Sequence, residues 1–417
     1  MTSDRQPAPL GGVRVLDLTR LLPGAYCTLV LASLGAEIVK IEDPKGGDLM
    51  RTLPPHVGGL SVYHHALNRN KRSVTLDLRA SEALGVLDRL VAGADVVIES
   101  FRPRTARRLK VSADDLRGRH PRLVHCSLTG FGQSGPYAER AAHDLDFVAL
   151  AGLFEIDQPH AMGKAERPGN AVAASGPPPA SSHRNDLRVP RLLVADIGGA
   201  WAASAGILAA LFQRERTGYG AAVDIAMYDV AASWLTFPAA AATIRPARPS
   251  EPLPIADAAC YNVYTTADGR HMALAAIERK FWETFCQRIG RPEFIPAQFV
   301  PDEQARLREE VAATFRGRDA EQWLAMFADA DVCLAPVNTV GEALADPHLR
   351  HRGLVASHGD SRFVRTPIVF HAASIGVPPD RLPVVPARAL GADTDDVLRS
   401  AGLSESDLAK LRSGRVV

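Results

Sequence analysis

The sequence predicts an α/β fold, with a large domain built on a parallel β-sheet that carries helices on both faces and a smaller α+β domain. Three observations lead to this prediction. Apolar, β-branched runs alternate with helix-length segments over the first 132 residues. Several of these runs contain few polar positions, as expected for strands that are covered on both faces. After about residue 254 a hairpin pattern and further helical segments replace the alternation.

A β-α-β unit begins the large domain. A β-branched run over residues 13–19 precedes a helix-length segment over 21–35, and a second run follows over 36–42. The same order then repeats, with Ser81 as a candidate N-cap of the next helix. The repeated elements are a strand at 72–78, a helix at 81–94 and strands at 95–101 and 121–132.

The first crossover of this unit argues against one common class of enzyme. Dinucleotide-binding folds carry the pattern G-x-G-x-x-G at this point, whereas residues 19–28 read TRLLPGAYCT. The sequence therefore does not favour a nicotinamide-dependent dehydrogenase.

Charge and cysteine content restrict the partners and the compartment. Lys and Arg total 48 against 47 Asp and Glu, so no strong field exists to attract a nucleic acid or an acidic membrane surface. We therefore expect a small-molecule partner. The five cysteines are odd in number, far apart and never in a C-x-x-C pair, which argues against disulfides and a zinc site. Reduced thiols, and a start without the pattern of a secretory signal, indicate the cytoplasm.

Two segments of unusual composition lie in the middle of the chain. The apolar run over residues 191–216 contains Asp196, and a carboxylate at bilayer depth is costly. We therefore predict a buried helix of a soluble protein there, and no membrane span. Residues 155–190 are rich in Pro, Ala, Gly and Ser without a helical or strand period, which predicts a mobile surface loop and a candidate lid.

The domain boundaries follow from these changes in composition. Residues 1–230 form the first part of the large domain, 231–254 a linker and 255–332 the small domain, and 333–417 return to complete the large domain. Within the small domain the pattern predicts a hairpin at 260–278, around an Ala-Asp-Gly turn, and helices at 280–290 and 302–330.

Three titratable side chains are candidates for catalysis. His143 lies before Asp144 and an apolar run, and its alternative role is that of a structural histidine at the edge of the core. Asp196 lies among apolar residues at the predicted start of a helix, whose dipole would favour an ionised carboxylate, and its alternative role is that of an N-cap. Glu278 follows an apolar strand, and its alternative role is to cap the next helix.

Basic residues next to predicted strands are candidates for phosphate binding, because phosphates usually bind at the ends of parallel strands. These residues are Arg69, Lys71, Arg72, Arg102 and Arg104. The alternative is a solvated charged edge. The turn at residues 129–136, TGFGQSGP, can present backbone N–H groups to an oxyanion or a phosphate, although it is by itself only a loop.

Motifs spread over nearly the whole chain carry a resemblance to a known family. They occupy residues 10–51, 68–78, 99–104, 127–138, 216–229, 267–282 and 346–354. In this order and at this spacing the sequence resembles the class III (CaiB/BaiF) coenzyme A transferases, the family that also contains the α-methylacyl-CoA racemases.

The resemblance implies a Rossmann-like large domain built from both ends of the chain, with the smaller domain between them. Two chains are then expected to form an interlocked homodimer with its active site at a subunit boundary. Coenzyme A would bind to the large domain as the thioester of the substrate, without a permanently bound cofactor or metal. The residues implied to contact coenzyme A are Lys40, Asp43, Arg72, Thr75, Leu76, Asp77, Leu78, Arg102, Ala142 and Asp144.

The resemblance also assigns roles to the catalytic candidates. Transferases of this family usually carry tyrosine where His143 stands, whereas racemases carry histidine. In the racemases this histidine works with an aspartate, here Asp196, and a glutamate, here Glu278. One group removes the proton next to the thioester from one face, and a second returns a proton to the other face. This favours a racemase.

Two further hypotheses remain open. In a coenzyme A transferase, the carboxylate of Asp196 would attack the acyl-CoA, form a mixed anhydride and then an aspartyl-CoA thioester, and pass coenzyme A to an incoming acid. A non-catalytic acyl-CoA-binding protein is the third hypothesis. The sequence does not predict the acyl group.

Overall fold

The structure is a computed structural model that describes residues 8–156, 189–244, 258–358, 361–370 and 384–417. It divides into two compact units. The first comprises Met1–Leu235 and Leu354–Val417, and the second comprises Thr236–Gly353. Most of the predicted loop at 155–190 and part of the predicted linker at 231–254 lie outside the described residues.

A six-stranded, wholly parallel sheet forms the centre of the first unit. Its strands are β1 (Arg14–Leu18), β2 (Glu37–Glu42), β3 (Lys71–Thr75), β4 (Val96–Glu99), β5 (Val124–Thr129) and β6 (Ala222–Ala226). Across the sheet they follow the order β3-β2-β1-β4-β5-β6. The order reverses between β1 and β4, which is the place where doubly wound folds bind ligands beyond the carboxyl ends of their strands. The predicted parallel sheet is thus confirmed.

Helices cover both faces of this sheet. They are α1 (Leu21–Ser33), α2 (Val62–Asn68), α3 (Ala83–Ala92), α4 (Pro103–Arg108), α5 (Ala113–Arg117), α6 (Asp144–Leu150), α7 (Leu153–Ile156), α8 (Val194–Thr217) and α9 (Met227–Ser233), followed after the second unit by Thr394–Ser400 and Glu405–Ser413. The first unit also contains a short 3-10 helix and two short antiparallel pairs, namely Leu49–Thr52, His56–Val57 with Leu60–Ser61, and Val355–His358 with Ser361–Val364. The predicted cap of α3 is wrong, because Glu82 occupies the N-cap position and the Ser81 hydroxyl donates to its carboxylate.

Two apolar layers explain why the strands have so few polar positions. On one face Leu16 and Val97 pack with α3 and the carboxyl-terminal helices, and on the other face Val15 and Ile98 pack with α1 and α8. Helix α8 is the one helix among the described residues that is long and apolar enough to cross a membrane. In the structure it contacts α1, β5 and β6 in the core of the first unit, as expected for the predicted buried helix.

A fully buried ion network connects residues of β1, β2 and β3. The ammonium group of Lys40 lies 3.1 Å from the carboxylate of Asp48 and donates to the Thr19 carbonyl at 3.0 Å. Lys71 lies 3.5 Å from Asp17 and donates to the Thr28 hydroxyl at 2.7 Å. Burial opposes the charge on both lysines. The neighbouring carboxylates nevertheless raise the pKa of Lys40, whereas burial lowers the pKa of Lys71 to about 8. The network joins these strands to α1.

The carboxyl-terminal segment protects the edge strand β3. The backbone N–H of Ser73 donates to the Asp393 carboxylate at 2.9 Å, and the N–H of Thr75 donates to the Thr394 hydroxyl at 3.0 Å. The Asp393 N–H donates in return to the Ser73 carbonyl at 2.9 Å. Backbone groups that an edge strand would leave unpaired are therefore satisfied by residues from the far end of the chain.

The second unit is built on a three-stranded antiparallel sheet in the order β9-β8-β7. Its strands are β7 (Tyr261–Thr265), β8 (His271–Ala275) and β9 (Leu334–Pro336). The predicted hairpin is confirmed as β7 and β8. The helices are Thr236–Ile244, Arg279–Arg288, Gln304–Phe315, Ala320–Met326, Val340–Ala345 and Pro347–His351, with 3-10 helices at Pro292–Ala297 and Pro301–Glu303. Buried Trp282, Phe285 and Phe315 lie at the centre of its core.

Two of the predicted boundaries differ from the structure. The return to the first unit begins at Leu354 and not at residue 333, because β9 pairs with β8 inside the second unit. Residues 231–244 are not a linker, since they complete α9 and form the helix Thr236–Ile244.

Candidate active site

Two helix starts meet at the predicted catalytic residues of the first unit. Helix α6 begins directly after His143, and Asp196 is the third residue of α8. The carboxylate of Asp144 accepts the backbone N–H groups of Ala195 at 2.7 Å and of Asp196 at 2.9 Å. The residue that follows His143 is therefore bonded to Asp196 itself, and the two predicted catalytic residues lie at joined helix starts.

His143 lies on the exposed side of this junction. Its backbone is extended, and its N–H donates to the carboxylate of Asp146 at 2.9 Å, which completes the first turn of α6. The imidazole is exposed on the described unit. It is thus open to a ligand rather than enclosed in the core.

The environment of Asp196 differs from the expectation drawn from helix position. Asp196 is not the N-cap, because α8 begins two residues earlier and Leu193 occupies that position. The N–H groups of the first turn bond to Asp144 and leave the Asp196 carboxyl group without them. Burial, together with the nearby charge of Asp144, raises the pKa of Asp196 to about 7. The expected stabilisation of an ionised carboxylate by the helix start is therefore wrong.

An apolar cluster surrounds the start of α8. Buried Phe131, Phe147 and Ala195 belong to it, and the first turn of α8 approaches α9 closely. A Cβ atom added at Gly198 would lie 2.7 Å from the indole ring of Trp234. Glycine is therefore required for this approach, and the close packing accounts for the desolvation of the neighbouring Asp196.

The Gly/Ser-rich turn at 129–136 uses part of its backbone within the protein. The Gly132 N–H donates to the Thr129 hydroxyl at 3.0 Å, and the Gln133 N–H donates to the Asp224 carboxylate at 3.0 Å. These two N–H groups are therefore not presented to an oxyanion or a phosphate.

Glu278 belongs to the second unit. It occupies the N-cap position of the helix Arg279–Arg288, but its carboxylate makes no capping hydrogen bond. The side chain is exposed, so Glu278 stands at the cap position of the next helix, as the alternative role predicts, but without a side-chain capping bond.

A cavity of about 230 Å³ lies at the carboxyl ends of β1 to β4. Leu18, Arg20, Ile41, Glu42, Asp43, Asp48, Leu76, Asp77, Leu78, Arg79, Phe101, Thr105, Arg108 and Leu109 line it. The guanidinium of Arg79 is held by Asp43 at 2.9 Å and by Asp77 at 2.7 Å. Buried Glu99 accepts the backbone N–H of Phe101 at 2.7 Å, which fixes the turn that carries this ring. Apolar walls and arginine side chains thus meet at the switch point of the sheet.

The predicted coenzyme A contacts divide among several locations. Asp43, Leu76, Asp77 and Leu78 line this cavity. Thr75 lies beside them at the end of β3, where it bonds to Thr394, Arg102 is exposed before α4, and Ala142 and Asp144 lie at the start of α6.

Lys40, Lys71, Arg72 and Arg69 do not line the cavity. Lys40 and Lys71 belong to the buried ion network. Arg72 lies near the amino end of β3 and contacts Glu37 at 3.3 Å. Arg69 is buried and donates to the Val364 carbonyl at 2.8 Å. Neither a phosphate contact nor a solvated edge describes Arg69 and Lys71.

The family model for CoA-transferase family III matches residues 10–394. The chain belongs to this family. The resemblance inferred from the sequence motifs is thereby confirmed.

Relatives in CoA-transferase family III include enzymes of both expected kinds. The chain is 31% identical to an α-methylacyl-CoA racemase from Mus musculus, over 98% of this chain and 97% of that protein. It is 32% identical to a succinyl-CoA–D-citramalate CoA-transferase from Chloroflexus aurantiacus, over the full length of both. A solved CaiB/BaiF family protein from Brucella suis matches with a TM-score of 0.76 and 28% identity, over 95% of this chain and all of that one.

Several residues that line the cavity of this family III protein were not predicted from the sequence. Arg79 directly follows the predicted strand that ends at Leu78, and Arg108 lies one helical turn beyond Arg104. Position relative to the carboxyl end of a strand was the available indication. Phe101 is the last residue of a predicted strand, and this position gives no indication that its ring lines a cavity.

Proposed function

We propose that this protein is an acyl-CoA enzyme that moves a proton at the carbon next to the thioester, in the manner of an α-methylacyl-CoA racemase. His143 and Asp196 are the proposed acid-base pair. One removes the proton from one face of this carbon, and the other supplies a proton to the opposite face. The handedness of the substrate decides which of the two acts as the base.

The buried environment of Asp196, next to the carboxylate of Asp144, is the observation that carries this proposal. A carboxyl group with a pKa near 7 is present in both forms at neutral pH, as a group that alternates between acid and base requires. A nucleophile is active only in the ionised form, so the same raised pKa reduces the fraction ready to attack. His143 lies exposed at the neighbouring helix start, where an imidazole can accept or donate the proton in the complementary role.

A coenzyme A transferase is the second candidate. It is supported by the family III relatives that carry this activity at similar identity, among them the succinyl-CoA–D-citramalate CoA-transferase. Asp196 would then form the covalent intermediates described above. A non-catalytic acyl-CoA binder would leave the junction of His143 and Asp196 without a role.

The cavity at the carboxyl ends of β1 to β4 is the proposed site for the nucleotide end of coenzyme A. Phe101 offers an aromatic face, and the guanidinium groups of Arg79 and Arg108 offer partners for phosphate. The interlocked homodimer, the cytoplasmic location and the part of Glu278 in catalysis are proposals that follow from the family.

Arg108→Ala is expected to weaken coenzyme A binding about tenfold and to reduce its dependence on salt, because a charge-assisted contact to phosphate is lost. Calorimetric titration at two salt concentrations measures both effects. Arg107→Ala is the matched control, since this neighbouring side chain on α4 is exposed and does not line the cavity. Equal losses in the two variants would remove the assignment of the cavity to coenzyme A.

One incubation separates the proposed activities. A 2-methylacyl-CoA is incubated with the protein in deuterium oxide, with and without an acceptor carboxylic acid. We expect deuterium to be incorporated at the carbon next to the thioester in both mixtures. Mass spectrometry measures this incorporation. A new thioester that forms only with the acceptor would show that the protein is a coenzyme A transferase. If the protein binds the substrate but catalyses neither reaction, it is a non-catalytic acyl-CoA-binding protein.

A further inference from the structure

The carboxylate of Asp144 is buried and is held by backbone N–H groups. Its side chain is 5% exposed, and none of the ion pairs among the described residues involves it. Its carboxylate instead accepts the two N–H groups at the start of α8. A buried carboxylate that bonds to helical N–H groups is stabilised by those bonds and by the helix dipole.

The carboxyl groups of Asp144 and Asp196 both lie at the start of α8, and Asp144 accepts the N–H groups of Ala195 and Asp196. Asp196 lies in the same first turn, where free N–H groups would favour its ionised form. Asp144 occupies those groups, including the N–H of Asp196 itself. The like charge of Asp144 also disfavours ionisation of the Asp196 carboxyl group. Both effects act on Asp196 in the same direction.

We infer that Asp144 is a positioning residue: its carboxylate accepts the N–H groups of Ala195 and Asp196, keeps these groups from the Asp196 carboxyl group and so favours the protonated form of Asp196. The inference rests on the proposed role of Asp196 in proton transfer. It gives Asp144 a function that differs from contact with coenzyme A, because both of the bonds of its carboxylate are directed into the protein.

Other titratable groups lie on the elements packed against α8. They are His143 at the N-cap of α6, Asp146 on α6, Tyr228 and Asp229 on α9, Tyr26 and Cys27 on α1, His125 and Cys126 on β5, and Asp224 on β6. Among the charges of the described residues, that of Asp144 is the one that acts on the pKa of Asp196, in addition to burial. Removing the charge of Asp144 therefore tests the effect of this one group on the pKa of Asp196.

Asp144→Asn removes the charge and retains an oxygen that accepts the same two N–H groups. We expect the pKa of Asp196 to fall by about 1 in this variant. Asp144→Ala also frees the N–H groups for Asp196, so its pKa is expected to fall further. Asp146→Asn is the matched control, because this carboxylate on the same helix bonds to the His143 N–H and should leave the Asp196 titration unchanged.

The titration is followed without turnover. Protein labelled with ¹³C at the aspartate carboxyl groups is titrated by NMR, and the Asp196 resonance is assigned by its loss in Asp196→Asn. An Asp196 titration that is the same in wild type and Asp144→Asn overturns the inference. The pH profile of α-proton exchange supplies a second measurement, with its high-pH fall expected about 1 pH unit lower in Asp144→Asn.

The two measurements separate the inference from the proposed function. If the Asp196 resonance shifts as expected and no α-proton exchange occurs in any variant, the tuning by Asp144 stands and the racemase proposal fails. If exchange occurs and the resonance does not respond to Asp144→Asn, the racemase proposal stands and the inference fails.

Discussion

Asp196→Asn is expected to slow α-proton exchange on a 2-methylacyl-CoA by about 10²–10⁴-fold, the usual loss when a positioned acid or base is removed. Asparagine has nearly the same shape and cannot donate or accept the proton. The fold should be retained, because α8 is capped by Asp144 and not by the side chain of Asp196. Deuterium incorporation measures the rate, and coenzyme A affinity serves as the control for an intact binding site.

Hydroxylamine distinguishes the two chemistries that Asp196 can perform. A proton donor never bonds covalently to substrate, so hydroxylamine added during turnover should leave Asp196 unmodified. A nucleophile would be captured as the hydroxamate, and only when an acyl-CoA donor is present. A hydroxamate on Asp196 in the mass spectrum would replace the racemase proposal with the transferase, and full activity of Asp196→Asn would contradict both.

His143→Ala is expected to lose α-proton exchange by a similar factor, about 10²–10⁴-fold. The exposed imidazole contributes little to the core, so folding and coenzyme A binding should persist. His120→Ala is a suitable control, because this histidine of the same unit contacts Asp88 at 3.2 Å, away from both helix starts. Exchange at the wild-type rate in His143→Ala would return His143 to a structural role.

Strands and helices with strong periodicity could be predicted from the sequence. The β1-α1-β2 unit and the β7-β8 hairpin follow from apolar runs separated by turns. Strand β9 could not, because it has only three residues, Leu334–Pro336, and forms only by pairing with a strand about 60 positions earlier. The boundary at residue 333 failed for that reason.

The catalytic roles of His143 and Asp196 remain predictions, and the contact of Asp144 with the start of α8 could not be predicted from the sequence. The sequence showed a carboxylate near a helix start, and from this the helix dipole alone suggested an ionised Asp196. Burial raises the pKa of Asp196, and a second carboxylate, Asp144, which lies 52 positions earlier and bonds to the same turn, raises it further. No local pattern reports such a contact. Burial of Lys40 and Lys71 was equally hidden, since both look like surface residues in a basic or polar segment.

The way in which residues 393 and 394 close the edge of β3 has a consequence for synthesis of the chain. The ribosome releases β3 more than 300 residues before the residues that satisfy its Ser73 and Thr75 N–H groups. Throughout that interval the nascent chain carries an open strand edge able to pair with another molecule. Synthesis of residues 393 and 394, and not formation of the sheet, is therefore the step after which the edge of β3 can be covered.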